Sequence, residues 1–481
     1  MSSCSKERIK VDPRQSIPSS TALTKKINVD AAVNSVYSAM KSTALYGRDL
    51  FAVADALSDI TRATNRSGRL VAENNNNFRA HLAFWGTAYS AINEINLILD
   101  AAPSVADASQ ADKDSWDGQL RFLRGLLYFN LVRTYSYMPT AVVTAKDKGG
   151  VPIRLVGTNN PDSAIKYAPS RASINAVYDQ IYTDLNVAIT KLTNSRGVAY
   201  ATRAGARALL SRVALYRGDW ATCITQSTSA QSEGLGVLVN AGNYVNAWRQ
   251  GVHPESIFEI RFQSNQENIG VNTSLQTSYT SLVTPGNSCS LGGFGDLVPN
   301  SFLLGQLGIT TGASPICGAS PVPGVITRGS DVRAQLYEWG ALGRGTPNVE
   351  CTKFLGKSGQ INLDNVPVIR FSELLLNRAE AYFMTGGAGN EALALADLNT
   401  LRTNRGLTTV TLSGSALFDE IIRQRMLEFA FEGHRFFDLK RLGRDIVKSP
   451  SNILFTDDRI LAPIPQGEID GNPNMAQNNG Y

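Results

Sequence analysis

The sequence of 481 residues lacks the motifs that commonly mark membrane spans, metal centres and catalytic sites. No apolar run approaches the length of a transmembrane helix. The five cysteines form no C-x-x-C pair, and the three histidines (His81, His253 and His434) are far apart and form no H-E-x-x-H motif. Neither a G-x-S-x-G turn nor a G-x-x-x-x-G-K-[ST] loop occurs. We therefore expect a protein without catalytic residues, cofactors or a metal site.

Charge is also sparse and nearly balanced. Charged residues make up 18% of the chain, below the usual quarter, while 43% of residues are hydrophobic. The net charge of +5 is too dilute over a 51.9 kDa chain to imply a polyanionic partner, so we expect no nucleic-acid ligand. The length allows a large core and two or three domain-sized units.

The most densely charged stretch is RQRMLEFAFEGHRFFDLKRLGRD, at residues 423–445. On a helix, Arg425, Glu428, Glu432 and Arg435 fall within one narrow stripe. Two carboxylates between two arginines would both stay ionised, which suits a general acid poorly. The acids nearly cancel the bases, which also argues against a nucleic-acid surface. We interpret the stretch as a structural ion-pair stripe, while a catalytic Asp or Glu pair brought together by folding elsewhere stays an open alternative.

An apolar face adjoins this stripe and indicates burial. A helix that is apolar over so much of its circumference is buried, and unpaired buried charges are very costly. We therefore expect the four charges to be paired, with Glu432 serving Arg425 or Arg435, and Gly433 to divide the stretch into two helices. The apolar face comprises Met426, Phe429, Ala430, Phe436 and Phe437, widened by Leu427 and Phe431.

Three segments share an Arg-x-x-x-Tyr pattern with a large apolar residue two positions before the arginine. This is the helix–turn–helix pattern of tetratricopeptide-type repeats, although the copies lie too far apart for a regular solenoid of about 34-residue units. Partner helices are predicted at 174–192 and 391–407, and an earlier helical layer at 29–47 and 84–102. The repeated pairs are Arg124 with Tyr128, Arg212 with Tyr216, and Arg378 with Tyr382.

A large insertion, from about 256 to 366, interrupts the helical pattern. Its composition shifts to Gly, Ser, Thr, Asn and Pro, which is typical of long loops. SIFEIRF at 256–262 alternates like a strand, and VPVIRF at 366–371 is a second candidate strand. We predict a mainly α fold, with an irregular tetratricopeptide-like helical layer and a large loop-rich insertion of minor β content.

The first residues read MSSCSKERIKVDPRQSIPSS and contain Cys4 between small and polar residues. Such a cysteine is typical of the acylated first residue of a bacterial lipoprotein. An apolar signal segment should precede it, and the residues ahead of Cys4 do not form one. Cys4 is therefore either a lipidation site in a processed chain or an ordinary cysteine in a polar tail.

Four stretches together resemble the SusD/RagB family of outer-membrane lipoproteins from Bacteroidota. The resemblance implies a right-handed layer of four tetratricopeptide-like helix pairs with an elaborated loop-rich face. It also implies a lipid-anchor tether at 1–24, an N-terminal region at 25–255 and a C-terminal region at 256–481. The four stretches are residues 122–155, 371–407, 423–445 and 460–481.

The resemblance implies a role as well. Family members sit on the cell surface of the outer membrane, lipid-anchored, as the ligand-capturing lid of a SusC-like TonB-dependent transporter. They bind oligosaccharides, or in some cases peptides, without catalysing a reaction. The alternative from a different class is a soluble helical-repeat adaptor that binds other proteins.

Two loop regions outside the repeat helices carry side chains suited to sugars, which need aromatic faces and planar polar groups. One is residues 57–78, and the other is the insertion with its aromatic residues Tyr279, Phe294, Tyr337 and Trp339. Asp59, in the LSD sequence, resembles a family position near the ligand. The predicted ligand-binding residues are Asp59, Arg62, Asn75, Asn76, Tyr279 and Trp339.

The cell-surface location implied by the resemblance permits disulfides. Cys289, Cys317 and Cys351 all lie in the insertion, so one pair among them can form, with Cys289–Cys317 favoured over the other two pairings; an insertion without a bridge stays the open alternative. Cys223 follows Trp220 in a repeat helix and is predicted to be a buried apolar residue.

Overall fold

A computed structural model describes residues 22–160, 167–263, 265–267, 269–356, 360–449 and 452–481. Cys4 and nearly all of the predicted tether lie outside the described residues. None of the helices within these ranges is long and apolar enough to cross a membrane.

The N-terminal part is a helical layer, as predicted. Its longest helix begins at a reciprocal capping box, in which the Ser109 side chain accepts from the Asp112 backbone and Asp112 binds the Ser109 backbone. The first predicted helix is shorter than expected, because the chain leaves the α-conformation after Ala39 and forms a separate π-turn at Thr43–Gly47. The helices are α1 (Lys26–Ala39), α2 (Asp49–Leu57), α3 (Val71–Asn74), α4 (Trp85–Ala101) and α5 (Gln110–Tyr135).

The repeat helices follow, and helices that are neighbours in the chain pack against each other. Ser173, Thr202 and Asp219 each cap a helix start, because their side-chain oxygens accept a hydrogen bond from a backbone N–H in the first turn. Gly218 ends one helix in the left-handed conformation, at φ 80°. These helices are α6 (Ile174–Lys191), α7 (Arg203–Arg217), α8 (Trp220–Ser232), α9 (Tyr244–Ala247), α12 (Phe371–Thr385) and α13 (Ala388–Thr403).

The three repeated arginines explain why the Arg-x-x-x-Tyr pattern recurs. Each guanidinium binds a carboxylate on a neighbouring helix with two nitrogens, so each arginine joins two helices of the layer. The pairs are Arg124 on α5 with Asp184 on α6 (2.8 and 2.6 Å), Arg212 on α7 with Glu373 on α12 (2.6 and 2.5 Å), and Arg378 on α12 with Asp397 on α13 (2.7 Å twice).

Strands are few and short. The two predicted strands are confirmed: they pair antiparallel at the base of the insertion, so its two ends lie side by side. Within the insertion, short pairs form between β3 and an earlier strand, β4 and β5, and β6 and β7. The strands are β1 (Thr61–Ala63), β2 (Ser256–Ile260), β3 (Leu297–Pro299), β4 (Thr310–Thr311), β5 (Ile326–Thr327), β6 (Tyr337–Trp339), β7 (Val349–Cys351) and β8 (Val366–Arg370); short helices α10 (Leu275–Tyr279) and α11 (Ser301–Gln306) lie between them.

The four residues of the charged stripe are buried and paired, as predicted, and the stretch 423–445 is divided between α14 (Gly414–Glu428) and α15 (Arg435–Arg441). Between them Gly433 adopts φ 71°, and a Cβ there would come within 2.4 Å of the Leu50 carbonyl oxygen. Only glycine therefore fits this close approach to α2. A further short helix, α16 (Gln466–Gly471), lies near the C-terminus.

The predicted partners within the stripe were wrong. Glu432 binds Arg370 of β8 through two hydrogen bonds of 2.8 Å and Lys353 at 2.6 Å, not Arg425 or Arg435. Arg425 instead binds Asp438 on α15. The four stripe residues do not face one another, because the chain turns between the two helices and each side chain meets a different element.

Glu428 lies at the centre of this buried network. It binds Arg370 at 3.0 Å, Arg405 at 2.8 Å and Arg333 at 3.5 Å, and all four side chains are at most 1% exposed. These neighbouring guanidinium groups hold the pKa of Glu428 well below its usual range, although burial alone would raise it. The charge is therefore structural.

Candidate functional site

The structure brings the two predicted loop regions together on one face. β1, from the first region, pairs antiparallel with β3 of the insertion. Next to this pair, the Thr64 hydroxyl donates to the Gly295 carbonyl at 2.8 Å, and β3 in turn contacts β7. We call this surface the loop face and define it by residues 61–69, 294–302 and 339–350.

Arg66 joins the segments of the loop face through hydrogen bonds. Its Nη1 donates to the Glu350 carboxylate at 2.5 Å and to the Phe294 carbonyl at 3.0 Å, and its Nη2 donates to the Thr346 carbonyl at 3.0 Å. Glu350 is fully buried and also accepts from the Ser281 backbone N–H at 2.6 Å. Burial nonetheless raises the pKa of the Glu350 carboxyl. Arg66 therefore crosslinks the two regions and its charge is already neutralised.

Two other arginines on the loop face are not neutralised. Arg62 is exposed and donates to the Asn348 side-chain carbonyl, and Arg344 donates to the Gly293 carbonyl at 3.1 Å. Within the described ranges neither guanidinium has a carboxylate at ion-pair distance. The pKa of Arg62 is lowered, first by burial of part of the side chain and then by Arg66 beside it. The loop face thus offers positive, donor-rich groups to a ligand.

The aromatic residues of the loop face differ in what they offer. The Phe294 ring lies between the guanidinium groups of Arg69 (4.5 Å) and Arg344 (3.9 Å), so cations cover it. Phe302, which directly follows β3 and the Asn300 helix cap, is 45% exposed and presents an open ring.

Three loop-face residues were not predicted from the sequence: Phe302, Arg344 and Asn348. The signal that would have found them is the β1–β3 and β6–β7 pairing, since Phe302 follows β3 closely, and Arg344 and Asn348 lie in the loop between β6 and β7. Strands of two or three residues give too short a pattern to be read from hydrophobic alternation.

Three of the six predicted ligand-binding residues lie in the protein interior. Asp59 is 6% exposed and is bound by Arg435. Tyr279 is fully buried, and its hydroxyl donates to Asp55 at 2.8 Å. Asn76 is 2% exposed, and its amide donates to the Leu57 carbonyl. In this conformation these side chains are held by the protein itself.

The other three lie at or near the surface. Arg62 and Trp339 belong to the loop face, where Trp339 lies opposite Val349 in the β6–β7 pair. The Trp339 indole is half-buried, because it packs on Gly324 and donates to the Val325 carbonyl at 3.1 Å. Asn75 is half-buried in the turn after α3. A ligand contact for any of the six stays a prediction.

The predicted disulfide between Cys289 and Cys317 is confirmed, with Cα atoms 5.5 Å apart. It ties the loop before β3 to the β4–β5 hairpin, whose residue Val325 supports Trp339. Cys351 and Cys223 are buried free thiols, which agrees with the apolar role predicted for Cys223.

The three histidines are buried separately in the scaffold. Burial lowers the pKa of His81 and of His253 to about 3, and lowers the pKa of His434 well below its ordinary value. Across the described ranges, no group of three His, Cys, Asp or Glu side chains could hold a metal ion. The histidines therefore serve packing at neutral pH.

A layer of helical repeats that carries a polar, loop-built face defines a class of binding scaffold. Two family profiles match the chain: one described as "Starch-binding associating with outer membrane", at residues 11–215, and one described as the SusD family, at residues 344–481. The chain belongs to the SusD family.

Individual relatives match the chain over different shares of its length. SusD-like protein P2 of Formosa agariphila is 24% identical over 94% of this chain and 92% of its own length. The starch-binding protein SusD of Bacteroides thetaiotaomicron is 33% identical, over 24% of this chain and 22% of its own length. The crystal structure of a SusD superfamily protein from Bacteroides thetaiotaomicron has a TM-score of 0.80 and 25% identity, covering 94% of this chain and 99% of that one.

Proposed function

We propose that this protein captures oligosaccharides on the loop face and passes them to a SusC-like TonB-dependent transporter in the outer membrane. The observation that carries the proposal is the meeting of the two loop regions at Arg62 and Asn348, which creates a polar face on a rigid helical scaffold. The starch-binding description of the N-terminal family profile, and the starch-binding relative, support a glycan ligand over a peptide. We propose binding without catalysis.

Loop-face chemistry suits sugar hydroxyls. The guanidinium groups of Arg62 and Arg344 donate hydrogen bonds, and the Asn348 amide can both donate and accept. The exposed ring of Phe302 can cover the apolar face of a pyranose ring. Because both arginines lack a carboxylate partner within the described residues, sugars that carry an acidic group should bind at least as well as neutral ones.

The location and organisation of the chain follow the same proposal. The profile description of outer-membrane association supports a cell-surface protein. Cys4 would carry the lipid, residues 1–24 would form the tether, and residues 25–255 and 256–481 would form the two regions of the family. A single acyl chain anchors only marginally, so stable attachment needs the several chains of a processed lipoprotein.

A glycan array with a peptide library as control tests the ligand class. The double variant Arg62→Ala/Arg344→Ala should lose about tenfold or more in affinity for the best glycan, since each charge-assisted hydrogen bond contributes roughly 1.5–3 kcal/mol. Arg444→Ala is the matched control, because Arg444 is an exposed arginine beside α14, at 3.4 Å from Asp419. Equal affinity of the double variant and the control would move the site away from the loop face, and binding of peptides alone would overturn the glycan assignment.

The cellular part needs its own experiment. Cells that express the protein with its natural leader are labelled with a radioactive fatty acid and treated with protease while intact. A surface lipoprotein incorporates label, is cleaved, and co-purifies with a transporter barrel, and Cys4→Ala releases it into soluble fractions. An unlabelled, protease-shielded protein would instead favour the helical-repeat adaptor.

A further inference from the structure

A second concave site lies outside the loop face. It is formed where the start of α4 meets the segments 152–154 and 167–169 and the C-terminal helix α16, and it encloses about 240 Å³. We call it the tail pocket. Its floor is buried, and its mouth is formed by exposed residues. The floor comprises Trp85, Pro152, Asn472 and Met475, and the mouth includes Tyr167, Gly467 and Glu468.

The walls of the tail pocket are aromatic and fixed in position. The Tyr89 ring packs on Trp85 with ring centroids 4.9 Å apart, and its hydroxyl donates to the Pro152 carbonyl at 2.7 Å. Tyr167 is 44% exposed, and the guanidinium of Arg154 lies 4.8 Å from its ring centroid. The pocket therefore presents aromatic surface that is held before a ligand arrives, which lowers the entropic cost of binding.

Two opposite charges line the pocket without pairing. Arg154 donates from Nη2 to the Thr158 hydroxyl at 2.8 Å, while its buried Nε has no hydrogen-bond partner. Glu468 is exposed on α16. Among the residues that the structure describes, neither side chain takes part in an ion pair. Both charges are therefore available to a ligand.

These groups favour a ligand that both donates and accepts hydrogen bonds. A guanidinium only donates hydrogen bonds and a carboxylate only accepts them, whereas a hydroxyl does both. A ligand carboxylate is attracted by Arg154 but repelled by Glu468, and a ligand ammonium the reverse, so neither charge alone gains; a zwitterion, which can meet both side chains, is the competing ligand in the test below. Several hydroxyl groups on one ring satisfy both side chains, and the apolar face of such a ring fits an aromatic wall.

We propose that the tail pocket is a second ligand site that binds one neutral pyranose ring, with hydroxyls held between Arg154 and Glu468 and the ring against Tyr167. The cavity is smaller than the roughly 300–1,000 Å³ typical of drug-sized ligands, so it suits a single ring rather than a chain. No lining residue belongs to the loop face, so the two sites are separable by mutation.

The test is calorimetry and ligand-observed NMR on the purified protein with methyl α-glucopyranoside and methyl α-galactopyranoside. Glucuronate, glucosamine and free phenylalanine serve as the acidic, basic and zwitterionic comparisons. At least one pyranoside should bind with a millimolar Kd. Tyr167→Ala and Glu468→Ala should each weaken that binding about fivefold or more, as the loss of about 1 kcal/mol implies.

Two controls make the result specific. Asp470→Ala removes a neighbouring carboxylate from the same helix, one that accepts only from Gln466 in the described structure, and should leave binding unchanged. Arg62→Ala should also leave it unchanged. The tail-pocket proposal is overturned if no pyranoside binds, or if all variants bind equally. It is also overturned if glucuronate, glucosamine or phenylalanine binds more tightly than the pyranosides, or if only Arg62→Ala loses binding. That last outcome would leave the loop-face proposal standing.

Discussion

Arg435 holds the carboxylate of Asp59 with both sides of its guanidinium, Nε to Oδ1 and Nη2 to Oδ2, each at 2.7 Å. The two residues are 376 positions apart in the sequence, and both are largely buried. The pair therefore ties α15, near the C-terminus, to the loop after α2 at the edge of the loop face.

Asp59→Ala should destabilise the fold, because it leaves the buried Arg435 without its counter-charge. Removing one partner of such a pair costs about 3–5 kcal/mol in the free energy of unfolding. Urea denaturation measures the effect, and Asp100→Ala, at an exposed position on α4, is the matched control. The folded fraction should keep its ligand affinity; a variant of normal stability that no longer binds ligand would instead make Asp59 a ligand contact.

Glu432→Ala should lower the free energy of unfolding as much as Asp59→Ala does, because of partners that could not be predicted from the sequence. The substitution leaves Lys353 with only backbone carbonyls and removes two hydrogen bonds from Arg370. We expect a loss of about 3–5 kcal/mol in thermal or denaturant unfolding. Asp179→Ala breaks the exposed pair with Arg217 and should cost at most about 1 kcal/mol. If Glu432→Ala lowers the free energy of unfolding as little as Asp179→Ala does, the network at 428–432 contributes little to stability.

The charged stripe shows what a sequence can predict about this fold and what it cannot. Burial and pairing followed from local composition, because a helix apolar over most of its surface has to neutralise its charges. The partners did not follow, because Arg370 and Lys353 reach Glu432 across 62 and 79 residues. Helical periodicity reports only neighbours within a few turns.

The candidate site divides in the same way. Both loop regions could be identified from their polar and aromatic composition, and Arg62 and Trp339 do lie on the loop face. Asp59 and Tyr279 have the same side-chain chemistry as ligand-binding residues, yet the fold uses both in buried hydrogen bonds. Residue type alone cannot separate these roles, since a buried carboxylate and a ligand-binding carboxylate look alike in a sequence.

The cysteines provide a direct chemical check of the insertion. With Cys289 and Cys317 bridged, the five cysteines leave three thiols: Cys4, Cys223 and Cys351. Thiol titration in denaturant without reductant should count three in a chain with unmodified Cys4, and two if Cys4 is acylated. A count of four or five would mean that the bridge does not form.

Cys289→Ser/Cys317→Ser should make the β4–β5 hairpin easier to cleave with protease while Cys223→Ser leaves the cleavage rate unchanged.

Asp55 should make stability depend on pH in an unusual direction. Its carboxylate is fully buried, accepts from Tyr279 and the Gly433 backbone, and lies near Lys353 and Glu432. Burial raises the pKa of Asp55 from 3.8 to about 8, despite the opposing hydrogen bonds and Lys353. Between these two values the folded protein binds a proton that the unfolded chain has lost, so this residue's contribution to stability falls as pH rises and becomes constant above about pH 8.

The variant Asp55→Asn isolates that contribution, because an amide can still accept from Tyr279 and Gly433 but does not titrate. Urea unfolding at several pH values from 5 to 7.5 should show the variant gaining on the wild type by up to about 1.4 kcal/mol per pH unit. Asp49→Asn, at the start of α2, controls for removing a charge from the same helix and should give a much smaller slope. Burial raises the pKa of Asp49 as well, but this side chain is only partly buried and the hydrogen bond and charge of Arg48 oppose the rise. Parallel stability curves for the wild type and Asp55→Asn would mean that Asp55 is already ionised in the folded protein at pH 5.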